Sequence, residues 1–87
     1  MNIHIRYFAS LREAVGRNEE TIIVPEGASV ATVREQLLTR YPRLQTIMAR
    51  AINAVNHRYV SAETTLHEND ELVFVPPMGG GGPSWNQ

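Results

Sequence analysis

Between Ser29 and Pro42 the chain can form little other than one amphipathic helix, and that helix constrains everything around it. Ser29 is a side chain suited to capping the free N–H groups that open a helix. Val30, Val33, Leu37, Leu38 and Tyr41 recur at helical spacing and make one apolar face, while Arg34, Glu35 and Arg40 lie off it. Pro42 stops the helix, because the residue before a proline disfavours the α region. A single apolar stripe needs a flat apolar surface to cover it, and the rest of the 87 residues reads mostly as short strands.

Ile3, Ile5 and Tyr7 alternate with His4 and Arg6, the period of a strand with one buried face. Ser10 and Glu13 form a capping-box pattern for a helix of about two turns carrying Leu11, Ala14 and Val15, with Gly16 as the left-handed residue that ends it. Thr21 to Val24 is β-branched and reads as a second strand, expected to pair with the first in hairpin fashion, with room for the helical insert between them. Leu44 to Ala51 is compatible with a further short helix. Ile52 to Val55 and Tyr59 to Ser61 flank Asn56-His57-Arg58, which reads as a tight hairpin in which Asn56 tolerates positive φ. Leu72 to Val75 is a last apolar strand whose parities divide: Leu72 and Phe74 point one way, Val73 and Val75 the other. The predicted fold is α+β, a β-grasp, ubiquitin-like mixed sheet with one long helix across one face. The other face must meet solvent or a partner.

Composition removes several function classes. A domain this small buries only roughly 60–65% of the surface its unfolded chain exposes, so a deep private pocket is not expected. Net charge is -1, which gives no field to gather nucleic acid or an anionic membrane. Cysteine is absent, excluding disulfides, thiolate metal sites and cysteine catalysis. All eight basic residues are arginines; there is no lysine, hence no side chain able to accept an isopeptide bond. The first eight residues alternate instead of forming an apolar leader, and no stretch is long and apolar enough to span a bilayer, so a cytoplasmic location is expected.

The chemistry is expected at the end of the chain. After the last strand comes Pro76-Pro77-Met78-Gly79-Gly80-Gly81-Gly82, then Pro83-Ser84-Trp85-Asn86-Gln87. Two prolines end sheet pairing and hold the chain extended. Glycines without Cβ make a thin tip that fits a narrow channel in another protein. Composition alone leaves an inert Gly-rich tail as the equal alternative.

Several segments together resemble the MoaD-like sulfur carriers of the MoaD/ThiS superfamily, the small subunits of molybdopterin synthase. They are Tyr7-Phe8-Ala9-Ser10-Leu11-Arg12-Glu13 with Val15-Gly16, Ala54-Val55-Asn56, Asp70-Glu71, and Pro76-Pro77 with glycines just beyond. The likeness covers nearly all of the first 81 positions, and the opening segment favours the molybdopterin branch over the shorter thiamine carriers. The resemblance implies a domain over residues 1–81 and a reactive terminal glycine. In such carriers an E1-like adenylyltransferase/sulfurtransferase consumes ATP to adenylate the glycine carboxylate, and sulfur displaces AMP to leave a thiocarboxylate. A carboxylate is a poor acyl donor and its anhydride with AMP a good one. The thiocarboxylate then enters the large synthase subunit, where two such sulfurs convert cyclic pyranopterin monophosphate into the molybdopterin dithiolene. No cofactor is expected to be held stably. A heterotetramer with two small subunits on a large-subunit dimer is implied.

Carried onto this chain, Gly80-Gly81 is the terminal pair, with Gly81 the residue adenylated and thiocarboxylated. Pro76, Pro77, Met78 and Gly79 are the neck that enters the partner. Tyr59, Val73 and Val75 are the apolar patch that docks the activating enzyme and the large subunit; Ala9 and Met78 are weaker candidates. A charge at Val75 is expected to block docking and leave the fold intact. The chain departs from the pattern in two places. It continues for six residues past Gly81, so Gly81 has no free carboxylate until a processing protease removes residues 82–87, an extension expected to be flexible. Gly80 and Gly82 are alternative ends. Asn69 stands where the pattern has glycine, and asparagine also accepts positive φ. Carriers for thiamine, cysteine or tRNA thiolation, a ubiquitin-like modifier and a binding module with an inert tail are the competing functions.

The remaining polar residues read as ordinary. His4, His57 and His67 lack metal-ligand spacing, with His4 on the open sheet face and His57 at a turn. Glu19-Glu20 and Glu68-Asp70-Glu71 read as solvated turns, not acid/base pairs. Ser10 and Ser29 are accounted for as caps, and Ser61 lacks a nucleophile's context.

Overall fold

The computed structural model describes residues 1–76; the tail from Pro77 onward, with Met78, Gly79, Gly80 and Gly81, lies outside the described residues. The elements run β1 Asn2–Arg6, α1 Ala9–Val15, β2 Glu19–Ile23, α2 Val30–Arg40, α3 Leu44–Met48, β3 Ile52–Val55, β4 Arg58–Val60 and β5 Glu71–Val75. The five strands form one sheet in the order β2-β1-β5-β3-β4. Only the central β1–β5 pair is parallel; its neighbours pair antiparallel. Strand alternation puts Ile3, Ile5, Ile22, Val55, Leu72 and Phe74 on one face, where Val30, Val33 and Leu37 of α2 complete the core with Leu11, Leu44 and Met48. This is the β-grasp arrangement, with α2 as its long helix.

Local chemistry fixes the element ends. The Ser29 hydroxyl accepts from Thr32 N–H while the Thr32 side chain takes the Ser29 N–H, a complete capping box on α2. Asn56 and His57 both adopt positive φ, 49° and 71°, and form the two-residue turn between β3 and β4, so Arg58 already belongs to β4. Asn69 sits at φ 67°, the conformation its place before Asp70-Glu71 requires.

Three expectations need correction. The capping pair at Ser10 and Glu13 does not form. Tyr7 is buried and hydrogen bonded, so the chain must turn at once after it, and the helix begins at Ala9 with an extended Phe8 as its N-cap. Ser10 is then already inside the first turn. Glu20 is not a solvated turn residue either. It faces inward on β2, its side chain only 5% exposed. Tyr7 and Tyr41 hydroxyls donate to its carboxylate at 2.5 and 2.9 Å, and Arg40 at 3.0 Å. A buried carboxylate is tolerable only with such donors. Burial, and then this contact with Glu20, hold the Tyr7 phenol well above its ordinary pKa. Asp70 is likewise engaged: its carboxylate takes the Asn56 side-chain amide at 2.9 Å and the His67 N–H at 2.8 Å.

Arg34 lies off the apolar face of α2, yet it ties three elements together. Its guanidinium donates to Asn53 Oδ1 at 2.8 Å, to the carbonyls of Met48 and Ala51, and sits 5.7 Å from the Phe74 ring centroid. Burial pulls its pKa below the usual guanidinium value.

Candidate partner-docking face

The face of the sheet opposite α2 is built by register. Arg6 pairs with Glu19 on one side and Val73 on the other; Ala54 pairs with Val73 and with Tyr59. Glu19, Arg6, Val73, Ala54 and Tyr59 therefore form one row across all five strands. Val75 and Ile52 pair one step along. Ala54, Val73 and Val75 make an apolar cluster separate from the main core. The parity expected for Val73 and Val75 is the parity found.

Their exposure is not what the sequence suggested. Val73 is 8% and Val75 7% exposed, so they are the floor of the face and not its contact surface. A carboxylate at Val75 would be buried without a partner, and the expectation that a charge there spares the fold does not hold. The apolar side chains available to another protein on this face are Phe8, Ile52 and Tyr59, which are 41%, 40% and 44% exposed, with Ile23 at 76% out on the edge strand β2. Tyr59 was expected here; Phe8 and Ile52 were not. Ile52 shares strand parity with Ala54, a signal the alternation carries. Phe8 is two residues beyond Arg6, and its ring lies 5.6 Å from the Arg6 guanidinium carbon, which holds it toward the same face. Arg6 also approaches Glu71 at 3.9 Å, an exposed ion pair worth under about 1 kcal/mol. Ala9, exposed at φ 48°, is the turn that follows Phe8.

β5 runs directly into the neck. Pro76 is buried at the strand's end, next to the β5–β3 register at Val75 and Ile52. The described chain thus ends beside the apolar row. The Ala54-Val55-Asn56 and Asp70-Glu71 segments, far apart in sequence, meet: Asn56 Oδ1 accepts from Glu71 N–H at 2.9 Å and Asn56 N–H donates to Glu71 O at 2.9 Å. This stitch fixes where β5 begins. His4, on the open face, bonds Thr21 Oγ1 at 3.0 Å and Asn69 Oδ1 at 3.1 Å, and His57 is at its turn.

A cleft of about 520 Å³ opens near the β3–β4 turn, lined in part by Arg58, Thr65, His67 and Asp70. It lies away from the apolar row, and its Asn56 and Asp70 side chains bond each other. Among the described residues no group of three or more His, Asp or Glu side chains is placed to hold a metal ion, and no helix is long and apolar enough to cross a membrane.

Known proteins agree with this construction. The model of the ThiS family matches residues 5–81. The molybdopterin synthase sulfur carrier subunit of Chlamydomonas reinhardtii is 34% identical over 83 residues, covering 93% of this chain and 100% of that protein. A solved structure from Pyrococcus furiosus, described as a candidate molybdopterin converting factor subunit 1, superposes with a TM-score of 0.83 at 31% identity, covering 90% of this chain and 99% of that one. The Helicobacter pylori complex of subunits 1 and 2 of molybdopterin-converting factor contains a chain matched at TM-score 0.69 and 20% identity, covering 93% of this chain and 100% of that one, a likeness of fold. With the family match covering residues 5–81 and the Chlamydomonas relative aligned along its full length, the chain belongs to the ThiS family.

Proposed function

We propose that this protein is the sulfur carrier and small subunit of a molybdopterin synthase. It is not catalytic alone: it delivers sulfur as a glycine thiocarboxylate into a large subunit that supplies the reaction chamber. The observation that carries the reading is the full-length likeness to a sulfur carrier subunit, together with a family match that ends at Gly81, the residue the sequence marks as the reactive end. The open sheet face supports it. A strand that runs into Pro76 beside an apolar row is what a carrier needs if docking and tail insertion are to happen together.

In this reading the Gly81 carboxylate attacks ATP with loss of pyrophosphate, and a sulfur nucleophile then displaces AMP. The large subunit binds the Phe8–Ile52–Tyr59 surface, as does the activating enzyme before it. The H. pylori subunit complex makes a large-subunit partner the natural choice. A protease first removes residues 82–87, and the work takes place in the cytoplasm within a heterotetramer.

The test is reconstitution. A chain ending at Gly81 is incubated with the activating enzyme, ATP and a sulfur donor, and its intact mass is read. Gain of one oxygen-to-sulfur exchange supports a carrier. Adding the large subunit and cyclic pyranopterin monophosphate should then yield the dithiolene. Absence of any exchange refutes the carrier reading, and Gly81 found on substrate lysines replaces it with a protein modifier. A full-length active species that still carries Trp85 in its own cells refutes the trimming step.

A further inference from the structure

We propose that this chain is built to carry an activated acyl end without acylating itself or its own copies, its surface having been kept free of amines. The inference rests on the carrier reading above and adds a property of the body rather than of the tip. An acyl adenylate is attacked by any free amine: the nitrogen lone pair adds to the acyl carbon, AMP leaves with the C–O bonding pair, and the nitrogen gives up a proton to solvent. The product is an amide, and that carrier is lost.

The sequence holds eight arginines and no lysine or cysteine. A guanidinium stays protonated and offers no free lone pair, whereas a lysine ammonium yields some free amine near neutral pH. The fold explains only part of this choice. Arg34 needs a planar fork for Asn53 and two carbonyls, Arg6 lies over the Phe8 ring, and Arg17 and Arg40 converge on Glu20 at 3.7 and 3.0 Å. Arg12, Arg43, Arg50 and Arg58 are different. They are exposed, and among the described residues none makes an ion pair, a side-chain hydrogen bond or a ring contact. Arg12 stands in the last turn of α1, where any cation suits the helix dipole. At these four places lysine would serve the fold equally well, and it is still absent. The remaining amine of the sequence, at Met1, is held on the edge of the sheet, donating to Val24 O at 2.7 Å with Glu26 at 3.9 Å.

The experiment introduces the missing amines. Every buried residue described lies between Ile3 and Pro76, so a chain ending at Gly81 keeps the whole folded body. The parent and the triple variant R12K/R43K/R50K, changed only at exposed positions other than the docking residues named above, are each incubated with the activating enzyme and ATP without a sulfur donor. Pyrophosphate exchange reports adenylation. Denatured intact mass after neutral hydroxylamine, which removes adenylates and esters, reports stable amides. We expect equal exchange, and at least about tenfold more amide-linked carrier dimer in the lysine variant than in the parent. Equal exchange with a lysine variant as clean as the parent overturns the inference, as does abundant amide dimer in the parent. Absence of exchange in both overturns instead the carrier reading beneath it. Acetylation by N-hydroxysuccinimide acetate gives a check that needs no activating enzyme. The folded variant should gain up to three stable acetyl groups beyond any taken by the Met1 amine of the parent, and uptake by the parent equal to the variant's refutes the proposal.

Discussion

Replacing Arg34 by methionine removes a cation while keeping most of the apolar stem that lies against the core. Asn53 is 8% exposed, and Arg34 is the partner of its Oδ1, so the substitution leaves a buried acceptor unpaired. That orphan costs about 1–3 kcal/mol. Losing the guanidinium from the Phe74 ring adds about 0.5–1 kcal/mol. Met48 O keeps a backbone donor, Ala51 N–H, and adds little. The sum is about 1.5–4 kcal/mol, which lowers the melting temperature of a domain this size by about 6–30 °C. Urea and thermal unfolding followed by circular dichroism measure it. The companion variant R34M/N53L removes both partners, and replacing both by apolar groups is nearly neutral. It should recover more than half of the loss. An R34M chain within about 0.5 kcal/mol of the parent, or a double variant no better than the single one, refutes the assignment of Arg34 as the tie between α2, β3 and β5.

Further outcomes follow from the same geometry. Ile52→Asp and Tyr59→Asp should fold and lose affinity for the large subunit by at least about 30-fold in titration calorimetry, since a central apolar anchor is worth about 2 kcal/mol or more. Val75→Asp should instead fail to give a stable fold, seen as loss of cooperative unfolding. Tyr7 holds its proton more tightly folded than unfolded. Its contribution is therefore complete below about pH 10 and falls above it by up to about 1.4 kcal/mol per pH unit; urea midpoints at rising pH should show this slope, and Tyr7→Phe should flatten it. Gly16 sits at φ 86° with open space around it, so Gly16→Ala should cost about 1–2 kcal/mol in chemical denaturation through backbone conformation alone.

What could be read in advance follows the range of the signal. The α2 helix, its Ser29 cap, the Asn56 turn and the divided parities of β5 are local patterns, each contained within a few residues, and all of them were legible. Glu20 was not, because its partners Tyr7, Tyr41 and Arg40 come from other elements and no short window reveals a pairing at that distance. Arg34 was missed for the same reason: a charge off the apolar stripe looks solvated until the start of β3 is placed beside it. At the open face, alternation told which side Val73 and Val75 take but not how deeply neighbours bury them, and so it named the floor of the patch while leaving out Phe8 and Ile52. The misplaced cap at Ser10 is a smaller case, a plausible local pattern overruled by the buried Tyr7 just before it.

The position of β5 has a consequence for how such a protein comes into being. Among the described strands it is the last to be synthesised, yet it occupies the middle of the sheet, wedged between β1 and β3 and paired in parallel with the strand made first. Until it arrives, no strand pairing joins the two halves of the sheet. Closure must therefore wait for almost the entire polypeptide to leave the ribosome, a long-range step of the kind that slows folding. Completion of the central sheet and of the open face is thereby made a single event, so a nascent or truncated chain has no finished surface to show a partner.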